Sequence, residues 1–188
     1  MGYFWDMASP SKLPGSFVYV IGTSRLGSTL AAASARGICM LAFADRRAEL
    51  IEDLARRFPG ARPASATHPA MPMLRRALKY PAAPWKAPRF TLDLRGTVFQ
   101  RSVWRALMRI PFGTTASYRD IAQAIGSPKA VRAVAGACGA NPIAIAVPCH
   151  RIIHSDGSIS GYRWGVNRKR KLLLLEARHT TRRAPRRS

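Results

Sequence analysis

"SYRDIAQAIGSPKAVRAVAGACGA", residues 117–140, decides the fold of the second half of this chain. Ser117 stands three residues before Asp120, the spacing of a capping box that opens a helix. Ile121, Ala122 and Ile125 then supply an apolar stripe, and Gly126 ends it. Ser127 is expected to cap a second helix, with Pro128 at its first position, where a missing N–H costs nothing. Two short helices joined by almost no loop make a helix-turn-helix pattern.

The second helix has two faces. At about 100° per residue, Val131, Val134, Ala135 and Cys138 fall together as core. Cys138 is therefore read as a buried small hydrophobe. Lys129, Arg132, Ala133, Gly136 and Ala140 fall on the other side. Small residues let a helix backbone approach a large partner while Arg132 projects alone. A helix of another protein would fit the same face, but the basic surroundings favour DNA.

Those surroundings are extreme. The 188 residues hold 31 Lys and Arg against nine acids, a formal charge of +22. From Thr97 onward there are 17 basic residues and three acids, Asp120, Asp156 and Glu176. Such a surface repels itself unless it meets a polyanion, so nucleic acid is the leading partner. No apolar run approaches the roughly 18 residues of a membrane span, so no membrane partner is expected. The N-terminus does not read as a secretory signal. Cys39, Cys138 and Cys149 are too few and too scattered for a disulfide framework or a zinc site. That usage suggests a reducing compartment, the cytoplasm.

Outward from the central stretch, "TVFQRSVWRALMRI" (97–110) places Phe99, Val103, Trp104 and Leu107 on one helical face, and "PFGTT" is a turn. In the first half, "SFVYVIG", "STLAAAS" and "GICMLAFA" read as strands separated by "TSRLG" and "ARG". "DRRAELIEDLARRFPG" reads as a helix with Leu50, Ile51, Leu54 and Phe58 on its apolar side. "ARPASATHPAMPM" and "PAAPWKAP" are connections around a short helix, "LRRALKY"; "RFTLDL" is a final strand. No catalytic constellation stands in this half, and Cys39 lies inside an apolar strand. The fold class is α+β, a small N-terminal layer followed by a mostly helical domain. The expected division is an N-terminal disordered extension (1–15), an α+β domain (16–94), a catalytic DNA-binding domain (95–177) and a basic disordered tail (178–188).

"AIAVPCHRIIHSDGSISGYRWG" (144–165) carries the chemistry. Cys149 follows an apolar run and Pro148, and precedes His150 and Arg151. A core cysteine belongs inside such a run, and a metal ligand would need companions. A nucleophile needs positive charge and a base beside it. Adjacent side chains point apart in an extended chain, so activation by His150 requires a bend or a bridging water. A third group must orient the imidazole. Glu176, at the end of "NRKRKLLLLEA", is the candidate. A Cys-His hydrolase is the enzyme alternative, and a DNA-binding or lesion-sensing module without chemistry is the other.

Four ordered motifs carry a resemblance: "RGTVFQRSVWRALMRIPFGTTASY", "GSPKAVRAVAGACGANP", "VPCHRI" and "GSISGYRWGVNRKRKLLLLE". The chain resembles the O6-alkylguanine-DNA alkyltransferases, or methylated-DNA–protein-cysteine S-methyltransferases, over roughly residues 94–177. "SGYRWG" is especially similar to the repair half of the bacterial adaptive-response regulator. The first half resembles the family's variable domain weakly, through "ARGICMLAF" and "ELIEDLARRFPGA".

The resemblance implies a ribonuclease-H-like first layer and a winged-helix-like second domain. It implies that Cys149 takes the alkyl group from guanine O6 irreversibly and once, with no cofactor. It implies that His150 accepts the thiol proton through a water, Glu176 orients His150, and Asn141 braces the turn leading to the site. Tyr118 would help rotate the nucleotide out and donate toward the base. Arg132 would fill the gap in the stack, with the helix in the minor groove. Lys129, Arg119, Ser127 and Ser155 join Tyr118 and Arg132 at the DNA surface. Val147, Ser160, Tyr162 and Trp164 line the guanine pocket, where some relatives carry a small residue in place of Trp164, so methyl is favoured over benzyl. No zinc is expected, nor the sensing domain of the adaptive-response regulator. The protein would act as a monomer on double-stranded DNA with alkylated bases, in the cytoplasm and on the nucleoid when bound.

Overall fold

A computed structural model describes residues 17–183. The extension expected over 1–15 and the last five residues of the basic tail lie outside the described residues. The chain opens with β1 (Val18–Ser24), β2 (Gly27–Ser34) and β3 (Gly37–Ala44), an antiparallel meander. Then come α1 (Arg47–Arg57), the two-residue β4 (Arg62–Pro63) and α2 (Met71–Lys79). The sheet order is β3-β2-β1-β4, with β4 parallel to β1. β3 is buried along its whole length, so it reads as a continuous apolar run rather than an alternating one. Leu50, Leu54 and Phe58 are buried as expected, but Ile51 is 37% exposed, at the edge of the stripe on α1.

The second half holds α3 (Val98–Leu107), β5 (Ala116–Ser117), α4 (Tyr118–Ala124), α5 (Val131–Ala140), β6 (Ile152–Ile153) and α6 (Val166–Arg183). Thr97 with Gln100, and Ser117 with Asp120, form capping boxes that open α3 and α4. Val103, Trp104 and Leu107 are buried, and the Trp104 indole N–H donates to the Ala137 carbonyl at 2.9 Å, locking α3 onto α5. The short β5 pairs in parallel with β6, which sets the start of α4 beside the chain that follows Cys149.

The molecule is mixed α+β, as the sequence implies, with four local corrections. "RFTLDL" is not a strand: only Leu92 bridges, to Ile38. Next to it the Asp93 carboxylate is drawn inward, accepting from Ser34 Oγ at 2.7 Å and pairing with Arg36 and Arg95, and the ladder ends there. Ser127 does not cap α5. Its N–H closes α4 instead, bonding to the Ala122 carbonyl, while Gly126 at φ +71° bonds to Gln123. That is a Schellman stop. It delays α5 to Val131, leaving Pro128 and Lys129 in the intervening turn. The helix before the linker starts at Met71, three residues ahead of "LRRALKY", with Pro72 in its first turn. The tail is not disordered from residue 178, because α6 continues through Arg183.

β3 is an edge of its sheet, but two non-strand segments cover it. Leu92 bridges Ile38 on one stretch, and Ile143 bridges Leu41 on another. Leu41 N–H donates to Pro142 O at 3.0 Å, and Ala144 N–H donates to Leu41 O at 2.7 Å. The apolar run before Cys149 is therefore docked on the sheet edge, and the first half serves as the anvil for the second half's site.

Candidate active site

Beyond that dock the chain bends sharply. Ile145 has φ +65°, and Ala146 N–H bonds back to Ala144 O at 2.7 Å across it. A positive φ is rare for a β-branched residue, and a three-residue turn of this hand is strained. Such strain persists only where the surroundings enforce it. Here they do: Ile143, Ala144, Ile145 and Val147 are all buried, and Asn141 spans the bend. Asn141 Oδ1 accepts from Ile143 N–H at 2.9 Å, and its Nδ2 donates to Val147 O at 2.9 Å and to Cys149 Sγ at 3.2 Å.

Cys149, His150 and Arg151 form one turn of 3-10 helix, the bend that the adjacent Cys and His require. Cys149 is 5% exposed. Burial pushes its thiol up to about 11, against the opposing pull of the Asn141 hydrogen bond and the Lys169 charge. At neutral pH it is a thiol, and its proton must go to a base. His150 is fully buried, and its Nε2 lies 2.8 Å from Glu176 Oε1. An Nε2–H facing a carboxylate leaves Nδ1 as the lone-pair nitrogen. Nδ1 is buried without a hydrogen-bond partner among the described residues. Burial lowers the pKa of His150 even against the pull of Glu176, so the ring is a neutral acceptor.

Glu176 has more partners than the sequence suggests. Arg151 grips it through Nε and Nη2 at 3.0–3.2 Å, and Gly113 N–H donates to Oε2 at 2.9 Å. Burial would raise this carboxyl, but the His150 and Arg151 hydrogen bonds hold it low. Arg151 thus faces Glu176, and its Nη1 donates to Ile110 O at 2.7 Å. Gly113, at φ +79°, sits so close to Thr180 that a Cβ there would lie 2.2 Å from its hydroxyl. Only glycine allows that turn to reach Glu176.

The pocket side is built around a residue that sequence reasoning missed. Lys169 is fully buried, and its Nζ donates to Ser160 Oγ at 2.7 Å and to the Ile152 carbonyl. Ser160 Oγ also accepts from Tyr118 O–H at 2.9 Å and donates to Ile152 O at 3.0 Å. Burial lowers Lys169 to about 8, with the Cys149 and Cys138 thiols opposing. Burial likewise raises Tyr118 and, further, Tyr162. In "NRKRKLLLLE" Lys169 is one of many cations. Its signal is spacing: it lies three residues before Leu172 and seven before Glu176, on the buried stripe of α6. Tyr162 stacks edgewise on Trp164 at 5.1 Å, and its hydroxyl is buried without a partner among the described residues. Trp164 reaches the sheet, 6.4 Å from Phe43. Val147 is buried, and its carbonyl accepts from Asn141 Nδ2.

The expected DNA-facing residues separate from this cluster. Arg119, Lys129, Arg132 and Ser155 are exposed, Ser127 and Tyr118 half-buried. On α5, Val134 and Cys138 are buried and Arg132, Ala133 and Gly136 exposed, as the two-face pattern implies; Ala140 is only half-exposed. A Cβ at Gly136 or Gly139 would meet nothing within 4 Å, so both positions leave room beside the helix backbone.

Residues 98–178 match the family model for the 6-O-methylguanine DNA methyltransferase DNA-binding domain. Over 167 residues, 87% of this chain, the sequence is 47% identical to the bifunctional transcriptional activator/DNA repair enzyme Ada of Escherichia coli, covering 46% of it. It is 45% identical over 130 residues to the inducible methylated-DNA–protein-cysteine methyltransferase of Bacillus subtilis, 69% of this chain and 73% of that one. A mycobacterial methyltransferase, from Mycolicibacterium paratuberculosis, is 60% identical over 89 residues, 47% of this chain and 54% of that one. The chain spans about half the length of the Ada and mycobacterial relatives. Among solved structures it is similar to Mycobacterium tuberculosis OGT in complex with DNA: TM-score 0.70, 36% identity, 86% of this chain and 93% of that chain. The likeness therefore extends well into the first half, beyond what its short motifs suggest.

Proposed function

This chain belongs to the methylated-DNA–protein-cysteine methyltransferase family, and from that premise we infer that it repairs alkylated DNA by taking the alkyl group onto Cys149. The observation that carries this reading is how the thiol and imidazole are held. Asn141 donates to Sγ, and Glu176 occupies His150 Nε2, leaving Nδ1 of a neutral ring to accept a proton. In one displacement the Sγ–carbon bond forms as the carbon–O6 bond breaks, and the electron pair goes to guanine O6. The thiol proton passes through water to His150 and is returned to the guanine, so the products are a thioether and an unmodified base. A thioether has no good leaving group, so each molecule acts once and needs no cofactor.

Tyr118 donates toward the departing base by turning its O–H away from Ser160, which with Lys169 holds the ring in place until then. Arg132 takes the place of an extruded nucleotide, whose unstacking costs a few kcal/mol. The exposed face of α5, with Arg119, Lys129, Ser127 and Ser155, lies in the minor groove of double-stranded DNA. Gly136 and Gly139 give the backbone room to approach. The protein works as a monomer in the cytoplasm, on the nucleoid when bound. We read residues 16–94 and 95–177 as its two domains, ribonuclease-H-like and winged-helix-like; the β1–β3 meander with parallel β4, and the β5–β6 pair beside α4 and α5, support those finer classes. Trp164 narrows the pocket, so methyl is preferred to benzyl. Equal inactivation by O6-methylguanine duplex and free O6-benzylguanine would remove that preference.

The test is a titration of the protein with duplex DNA carrying one O6-methylguanine labelled in its methyl group. The expected plateau is one label per chain, with no further turnover. A plateau at zero, or continued release of label, contradicts the reading.

A further inference from the structure

Asp53, on α1 of the first half, holds three arginines at once. Arg163 Nη2 donates to both its oxygens, at 2.7 and 2.8 Å; Arg57 Nε donates at 3.0 Å and Arg56 Nη2 at 2.5 Å. Its side chain is 15% exposed. Burial alone would raise its pKa, but Arg163 and Arg57 outweigh that and keep it ionised. Arg163 stands in the pocket loop, between Tyr162 and Trp164.

The same arginines reach a second place. Arg163 Nη1 donates to Gly139 O at 3.3 Å, and Arg57 Nη1 donates to Ala140 O at 3.4 Å. These are the last carbonyls of α5, a helix with no basic residue in its own last turn. Cations are favoured at such an end, and here they come from outside the helix. The next residue is Asn141, whose amide holds Cys149 Sγ. One carboxylate in the sheet half therefore anchors both supports of the site, the pocket loop and the helix end that carries Asn141.

We propose that Asp53 is a positioning residue for alkyl transfer: through Arg163 and Arg57 it clamps loop 160–164 and the end of α5 to the first half, fixing Cys149 relative to the guanine pocket. The proposal rests on the alkyl-transfer reading of the same site. Asp53 touches neither Cys149, His150 nor Glu176 among the described contacts, so it acts through its arginines. Misplacing reacting groups by about 1 Å costs on the order of a hundredfold in rate, so a loosened clamp acts on the transfer step rather than on DNA affinity. A second ion pair between the halves provides the control. Arg168 Nη2 pairs with Asp45 at 2.5 Å, but Asp45 is 87% exposed and contacts neither Arg57 nor Arg163.

The experiment compares the full chain with Asp53→Asn, Asp53→Glu and Asp45→Asn. Single-turnover methyl transfer, duplex Kd and thermal unfolding are measured for each. Asp53→Asn is expected to slow transfer about tenfold or more, with Kd within about twofold and the protein folded at the assay temperature. Asp53→Glu restores most of the rate, and Asp45→Asn behaves as the parent. The clamp is overturned by an Asp53→Asn rate within about twofold of the parent, or by a slowing matched by weaker DNA binding or lost folded protein. It is equally overturned if Asp45→Asn slows transfer as much, or if Asp53→Glu fails to rescue. A parent chain that gains no methyl group removes the alkyl-transfer reading and the clamp together; an unaffected Asp53→Asn removes the clamp alone.

Discussion

In the sheet half, β3 buries eight consecutive residues from Gly37 to Ala44, and none has a charged or hydrogen-bonding side chain beyond the thiol of Cys39. In the helical half, Asn141, His150, Arg151, Ser160, Lys169 and Glu176 are buried just as deeply. Apolar burial is non-directional and tolerates substitution of like for like. Buried charges are different, because each must meet its partner in one geometry or cost several kcal/mol. The first half therefore provides a stable edge on which the strained turn at Ile145 is docked. The second gives up part of that stability to hold a thiol, an imidazole and a cation in a fixed, buried arrangement.

The sharpest way to break this contrast is Glu176→Ala. It strands Arg151 and His150 without their carboxylate, and is expected to cost roughly 3–5 kcal/mol of stability and to abolish transfer. Urea unfolding and a single-turnover assay measure both, and a variant as stable as the parent would mean that the cluster is solvated. Leu30→Ala in β2, where Leu30 is fully buried, is expected to cost about 2–5 kcal/mol. The folded fraction of that variant should transfer at the parent rate. A slowed folded fraction would show that the sheet core tunes the chemistry directly.

The smallest effect is a difference in alkaline behaviour. Burial raises Cys39 from 9.0 to about 12, so its contribution is complete below pH 9 and is lost as pH rises, when the unfolded thiol ionises first. Lys169 runs the other way. It is lowered from 10.5 to about 8, so the unfolded state binds more protons over that range and its contribution improves with rising pH. Cys39→Ala should flatten the alkaline decline in unfolding free energy measured with urea, and Lys169→Met should steepen it, each by at most about 1.4 kcal/mol per pH unit. Slopes unchanged in both variants would contradict these assignments.

What could be read from the sequence follows the same division. Three strands, α1 and the capping box of α4 were legible because each is written in local spacing. "VPCHRI" and Glu176 were legible because a thiol beside an imidazole, and a lone acid after an apolar run, are chemically conspicuous. Lys169 was not, since it differs from its neighbouring cations only by the face of α6 on which it falls. Asp53 was hidden for another reason: its partner Arg163 is 110 residues away, and no local pattern joins them. Ser127 was misassigned because a Ser-Pro pair reads as a helix start when the Schellman stop that consumes its N–H is not considered.

Whether Cys149 itself receives the alkyl group can be read by peptide mass mapping. The protein is mixed with a duplex carrying one O6-methylguanine, digested and sequenced by mass. One added methyl group is expected on the peptide containing Cys149, with Cys39 and Cys138 unmodified and no gain in Cys149→Ser. A methyl group on another residue, or tight lesion binding with no added mass, would contradict it and withdraw the roles given to His150 and Glu176.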